Sequence, residues 1–176
     1  DPTPNACNLC HLDKTLDWSA RQLTEWYNTP KVQLTDDEQN VAASLLWLLK
    51  GDAAQRAIAA WHMGWEPAQA ASGTQWQAPF LGQMLIDPYS VVRSIAHSAL
   101  IRLPDFADFE FDYIESIENR TAARQRAIDR WSNRPPPLPE TKSRTQLLLN
   151  EDNSLRSDEI QRLLKQRDDS PIVIAE

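Results

Sequence analysis

The chain is a succession of short apolar-periodic stretches separated by prolines, glycines and capping residues, and most of them read as helices. Asp17 is placed to cap a helix from Trp18 to about Asn28, stopped by Pro30, with Leu23, Trp26 and Tyr27 on its apolar side. Thr35-Asp-Asp-Glu38 has the form of a capping box. It predicts an apolar helix through Val41, Leu45, Leu46, Leu48 and Leu49, closed by Gly51. Asp52 starts the next helix, which carries Ile58, Trp61 and Met63 and ends at Gly64. Glu66-Pro67 begins a short segment ended by Gly73, and Thr74 precedes a helix with Pro79 in or near its first turn. Asp87-Pro88 predicts a helix running to about Leu103, before Pro104, and another covers Thr121 to Ser132. Arg134-Pro-Pro-Pro-Leu-Pro139 reads as an extended, polyproline-like linker. One more helix follows from Ser157 to about Gln166, before an extended Ile172-Val-Ile end. The expected fold class is all-α.

Within this pattern a segment repeats. Gln55-Arg-Ala-Ile-Ala-Ala-Trp61 recurs as Gln125-Arg-Ala-Ile-Asp-Arg-Trp131, and Val92-Arg-Ser-Ile-Ala-His97 keeps the Arg and Ile between them. Arg56, Arg93 and Arg126 lie 37 and 33 residues apart, near the period of paired-helix solenoids. The stretch from Asp87 to Leu100 resembles the second helix of a HEAT repeat, with an aspartate at the turn, a Val-Arg pair and a small-residue face. The expected organisation is an N-terminal segment and first helix over residues 1–30, a HEAT-like stack of helical hairpins over 31–134, and a Pro-rich arm with one short helix over 135–176.

Composition narrows the partners. The 176 residues suffice for one or two small domains with an apolar core. A net charge of −7 argues against nucleic acid or an anionic membrane surface, and is compatible with a basic redox partner. No apolar run approaches transmembrane length. Only four glycines occur, against twelve prolines, which suits helices broken by prolines.

The chemistry concentrates in Cys7-Asn-Leu-Cys10-His11, which has the C-x-x-C-H form of c-type haem attachment. Two thiols three positions apart reach two vinyl groups on one porphyrin edge, and the adjacent imidazole becomes the proximal iron ligand. One covalent haem c would use both cysteines of the chain. A disulfide, a redox dithiol and zinc are the alternatives. Zinc lacks a second cysteine pair, with His62 and His97 far apart, and a dithiol lacks an upstream strand.

The run from Thr3 to Thr15, followed by Trp18, resembles the last haem-binding segment of large bacterial multihaem cytochromes related to cytochrome c554. The stretch from Ala59 to Ala68 and the ending from Arg167 to Glu176 are also similar to that family's C-terminal region. The resemblance implies electron transfer in the periplasm or outside the cell, beside other haem-bearing chains or an upstream haem region. It also implies helical repeats after the haem segment. This chain carries one haem motif where those relatives carry several, so it is expected to be a module or processed subunit, exported with the help of a leader or upstream segment. No catalytic residues are carried over.

The iron's sixth ligand decides between carrier and catalyst. Met63 and Met84 sit on apolar helix faces and read as core; His97 reads as surface. His62, flanked by Trp61 and Trp65 where a small residue is expected, is the leading internal candidate for the distal ligand, beside a histidine from a partner or upstream segment. Trp47, Trp61 and Trp76 read as core packing, and Trp18 as a neighbour of the porphyrin. Asn150-Glu-Asp-Asn-Ser lacks a full calcium-loop pattern and reads as a capped turn. The functions left standing are an electron carrier, a helical scaffold stapled by its haem, and a haem oxidoreductase module with an open iron site.

Overall fold

The computed structural model describes residues 3–133 and 141–171. Among them the protein is helical throughout; its only β contacts are single bridges joining Thr15 to Ala42 and Leu149 to Leu155. The all-α expectation therefore holds. The predicted Pro-rich linker and the Ile172-Val-Ile end lie outside the described residues, apart from its Pro171 neighbour.

A short helix, α1 (Ala6–Cys10), precedes α2 (Leu16–Tyr27). Thr15, rather than Asp17, caps α2 by accepting from the Trp18 amide at 3.2 Å. Asp17 sits in the first turn, where a carboxylate favours the helix dipole, and pairs with Arg21 at 2.8 Å. The apolar side expected for α2 faces outward. Trp26 and Tyr27 are largely exposed, and Ser19 is the helix's one buried residue.

The Thr35 capping box is present, but the helix it opens stops early: α3 (Asp36–Asn40) ends at an extended Val41, and α4 (Ala43–Lys50) restarts after Ala42. Long-range backbone bonds explain the break. The Ala42 amide donates to the Gln146 carbonyl at 2.9 Å, and the Ala43 amide to the Lys14 carbonyl at 2.9 Å. A continuous helix would have spent both amides internally.

Next come α5 (Ala53–Met63), α6 (Glu66–Ser72), α7 (Ala78–Met84), α8 (Ser90–Leu100) and α9 (Ile117–Ser132). Asp52 and Gln55 form the capping box of α5, and Pro79 sits in the first turn of α7, as the sequence indicates. Asp87 does not cap α8; it is fully buried against Arg56, so the helix starts three residues later. Helix α9 begins one turn earlier than expected because the Ser116 hydroxyl accepts from the Asn119 amide at 3.3 Å.

Helix α5 packs on α4 and α8, and α7 on α8 and α9. The approach of α5 to α8 is close: a Cβ added at Gly64 would lie 2.8 Å from the Ala99 Cα. Trp76, Phe80, Leu45, Leu48, Met63 and Met84 fill the centre with no exposed surface. Burying such side chains contributes about 1.5–3 kcal/mol each.

The tail folds back rather than extending. Helix α10 (Thr141–Gln146) leads into Leu147, Leu148 and Leu149, all buried, and α11 (Ser157–Leu164) lays Ile160 and Leu163 onto α4. Residues 166–170 then cross the α4–α5 corner, where the Asp168 amide donates to the Lys50 carbonyl at 3.1 Å.

Candidate functional site

Cys7 and Cys10 lie three residues apart on α1, which places them on one side of the helix. Both are unpaired and half-buried. His11 follows as the C-cap, with its amide on the Cys7 carbonyl at 2.8 Å. Its imidazole packs against the Trp18 indole, with ring centroids 5.0 Å apart, and makes no hydrogen bond among the described residues.

This short helix is held by partners the sequence did not single out. Asn8, between the cysteines, has no exposed surface and uses its amide fully. Its Nδ2 donates to the Lys14 and Thr15 carbonyls at 3.0 and 3.2 Å, while its Oδ1 accepts from Ser19 Oγ at 2.7 Å and Asn5 Nδ2 at 3.0 Å. That network ties α1 to the start of α2. Past His11 the backbone is gripped by two serines distant in sequence. Ser72 Oγ donates to the Cys10 carbonyl at 2.9 Å and accepts from the Leu12 amide at 2.8 Å. Ser44 Oγ donates to the Leu12 carbonyl at 2.6 Å, and the Leu12 side chain is fully buried in the core. Asn8 offered one signal, its place inside the motif; serines at 44 and 72 offered none.

Asp13, two residues beyond His11, is mostly buried. Its Oδ2 pairs with Lys14 Nζ at 2.6 Å, and its buried Oδ1 has no donor among the described residues.

His62 lies near the end of α5, a helix that α1 touches. Its Nδ1 is 2.9 Å from the Ile58 carbonyl, which can only accept, so Nδ1 is the donor and Nε2 is the nitrogen left without a hydrogen bond among the described residues. Trp61 and Trp65 flank it, their rings stacked at 6.1 Å, and His62 meets them edge-on at 4.8 and 5.7 Å. Trp61 is 52% exposed, so it is no core residue, unlike Trp47 and Trp76. Met63 and Met84 are fully buried, as expected of packing residues. His97 is half-buried rather than on the surface. Its Nε2 bonds the Phe109 carbonyl at 2.8 Å and its ring packs on Phe109 and Phe111, pinning the loop before α9.

These residues fit a covalently attached haem on two grounds: both thiols are unpaired on one helix, and a buried carboxylate oxygen beside His11 lacks the donor that a ligated imidazole supplies. Among the described residues no three His, Cys, Asp or Glu side chains converge as a metal site, so a zinc ligand set is not assembled there. No helix among the described residues is long and apolar enough to cross a membrane. Comparison with known proteins finds no matching family model, curated protein or solved structure.

Proposed function

We propose that this chain is an electron-transfer module carrying one c-type haem on Cys7, Cys10 and His11, working within a larger multihaem assembly outside the cytoplasm. The observation that carries the reading is the pair of unpaired thiols three positions apart on one helix, with His11 directly at its end. Each thiol adds across a vinyl double bond: a sulfur–carbon bond forms and the thiol proton moves to the neighbouring vinyl carbon, with no oxidant required. The group, once bound, supplies a one-electron iron couple. The protein's part is to fix α1 through Asn8, Ser72 and Ser44, to hold the His11 ring against Trp18, and to keep Leu12 anchored in the core. His62, whose Nδ1 is engaged by the Ile58 carbonyl and whose Nε2 is left for a ligand bond, is the chain's distal-ligand candidate. Partners consistent with the acidic chain are other haem-bearing chains and a basic redox protein.

A second reading, a HEAT-like scaffold, is favoured by one equivalence. Arg56 Nη1 donates to the carbonyl five residues back, Gly51, at 2.7 Å, and Arg93 Nη1 does the same to Pro88 at 2.9 Å. Both arginines also reach a later connection, Arg56 to Asp87 in the turn before α8 and Arg93 to the Tyr113 carbonyl in the loop before α9. Their sequence echo thus has a structural counterpart. The two readings coexist in one molecule if the stack presents the haem.

The test is an optical spectrum, oxidised and reduced, with a pyridine haemochrome assay on chain matured in a host that attaches haem. A six-coordinate low-spin c-type spectrum that turns high-spin in His62→Ala supports both the carrier reading and the ligand. A low-spin spectrum unchanged in His62→Ala moves the ligand to another residue of this chain, and a high-spin spectrum in the unmutated chain fits a ligand supplied by a partner or an open iron site. Absence of haem removes the carrier reading and leaves the scaffold.

A further inference from the structure

Two groups near α1 lack partners that their chemistry calls for. Among the described residues the His11 ring makes no hydrogen bond, and Asp13 Oδ1 is buried without a donor. A buried acceptor left unpaired costs about 1–3 kcal/mol, and such groups mark places where something else binds or completes the site. The Lys14 amide donates to the His11 carbonyl at 3.1 Å, closing a turn over residues 11–14. That turn keeps its end Cα atoms within about 7 Å, and residues 11 and 13 both lie within it. Leu12 between them is committed to the core. The serine clamps on Cys10 and Leu12 hold the turn's backbone, leaving the His11 and Asp13 side chains as its adjustable parts.

We propose that Asp13 is the positioning residue for His11: its Oδ1 accepts the hydrogen bond from the imidazole nitrogen that does not bind iron. This rests on the haem reading above. Ligating histidines are held by such an acceptor on their second nitrogen, which fixes the ring plane and raises ligand basicity. A carboxylate in that role gives the imidazole more anionic character than a backbone carbonyl would, and so favours ferric iron. Lys14, on the other carboxylate oxygen, moderates the effect by sharing the charge.

The test uses haem-loaded chain, with haem content read by pyridine haemochrome before anything else. In Asp13→Asn the midpoint potential rises by about 59 mV, a tenfold shift of the one-electron equilibrium toward reduced iron, and the ferric g-values change because the acceptor on the ring N–H has lost its charge. In the unmutated reduced protein, whose low-spin iron is diamagnetic, the His11 ring N–H exchanges slowly with deuterium by NMR. An Asp13→Asn protein with normal haem content and unmoved potential and g-values overturns the assignment while the haem reading stands. So does a rapidly exchanging ring N–H in the unmutated protein, a result that needs no variant to fold. Unmutated chain without haem overturns both.

Discussion

The Arg56 guanidinium and the Asp87 carboxylate meet at 2.7 Å with neither side chain exposed, joining α5 to the turn before α8. Arg56 also donates to the Gly51 and Asp168 carbonyls, stacks 5.8 Å from the Tyr89 ring, and lies 3.4 Å from Asp169. Removing one partner of such a pair strands a buried charge, at about 3–5 kcal/mol. Asp87→Ala is expected to lower stability by that amount in urea denaturation, whereas Arg56→Met with Asp87→Leu recovers much of it. A loss below 1 kcal/mol in Asp87→Ala would show the pair to be solvated.

Asn8→Ala removes the amide that serves four partners around α1. The expected loss is about 3 kcal/mol, with faster amide hydrogen exchange concentrated between residues 5 and 19. Haem incorporation should fall with it, since α1 no longer presents both thiols from one rigid turn.

Thiol chemistry separates the loaded from the unloaded chain. Without haem, Cys7 and Cys10 are half-buried and unpaired, and both should alkylate under native conditions. In chain matured with haem, mass spectrometry should find one haem added and no alkylation at either position.

The ion pairs of Asp37 give the tail a pH dependence. The Arg162 hydrogen bond, followed by Lys50, holds the Asp37 carboxyl below its ordinary value of 3.8, with burial opposing. A depressed carboxyl contributes stability that is full above 3.8 and lost as pH falls through the lower folded value. Because Arg162 is 40% exposed, solvent screening limits the pair to about 1 kcal/mol. Arg162→Ala should therefore destabilise at pH 7 and matter progressively less as pH falls below 3.8, as measured by the urea midpoint.

Gly64→Ala tests the closeness of α5 and α8. Its new methyl would meet the Ala99 backbone at 2.8 Å, and backbone gives way poorly. Overpacking of this kind costs about 1–3 kcal/mol.

Local signals located the helix ends that local chemistry decides: the boxes at Thr35 and Asp52, Pro79 in α7, Gly73 after α6. They failed where distant chain intervened. Nothing near Ala42 announces that Gln146 and Thr15 will claim its backbone, and Asp87 carries the signature of a cap while serving Arg56 31 residues away. Cys7, Cys10 and His11 were legible as a candidate site because they are adjacent in the chain. Asp13, Ser44 and Ser72 were not, since a lone polar residue acquires meaning only from what folds against it. The outward face of α2 was missed for a related reason: amphipathic spacing marks an apolar side, not the partner that covers it.

The strap at residues 166–170 bears on the order of events in the life of the chain. Arg56 lies on α5, yet two of its contacts, the Asp168 carbonyl and Asp169, come from the far end of the described residues. Asn8 holds α1 through bonds that span at most 11 residues, whereas the surroundings of Arg56 are complete only once residues 166–170 have docked from 112 residues away. Residues as separated as these meet slowly. That delay leaves an interval in which α1 and the turn after it can form while the fold behind them is still open.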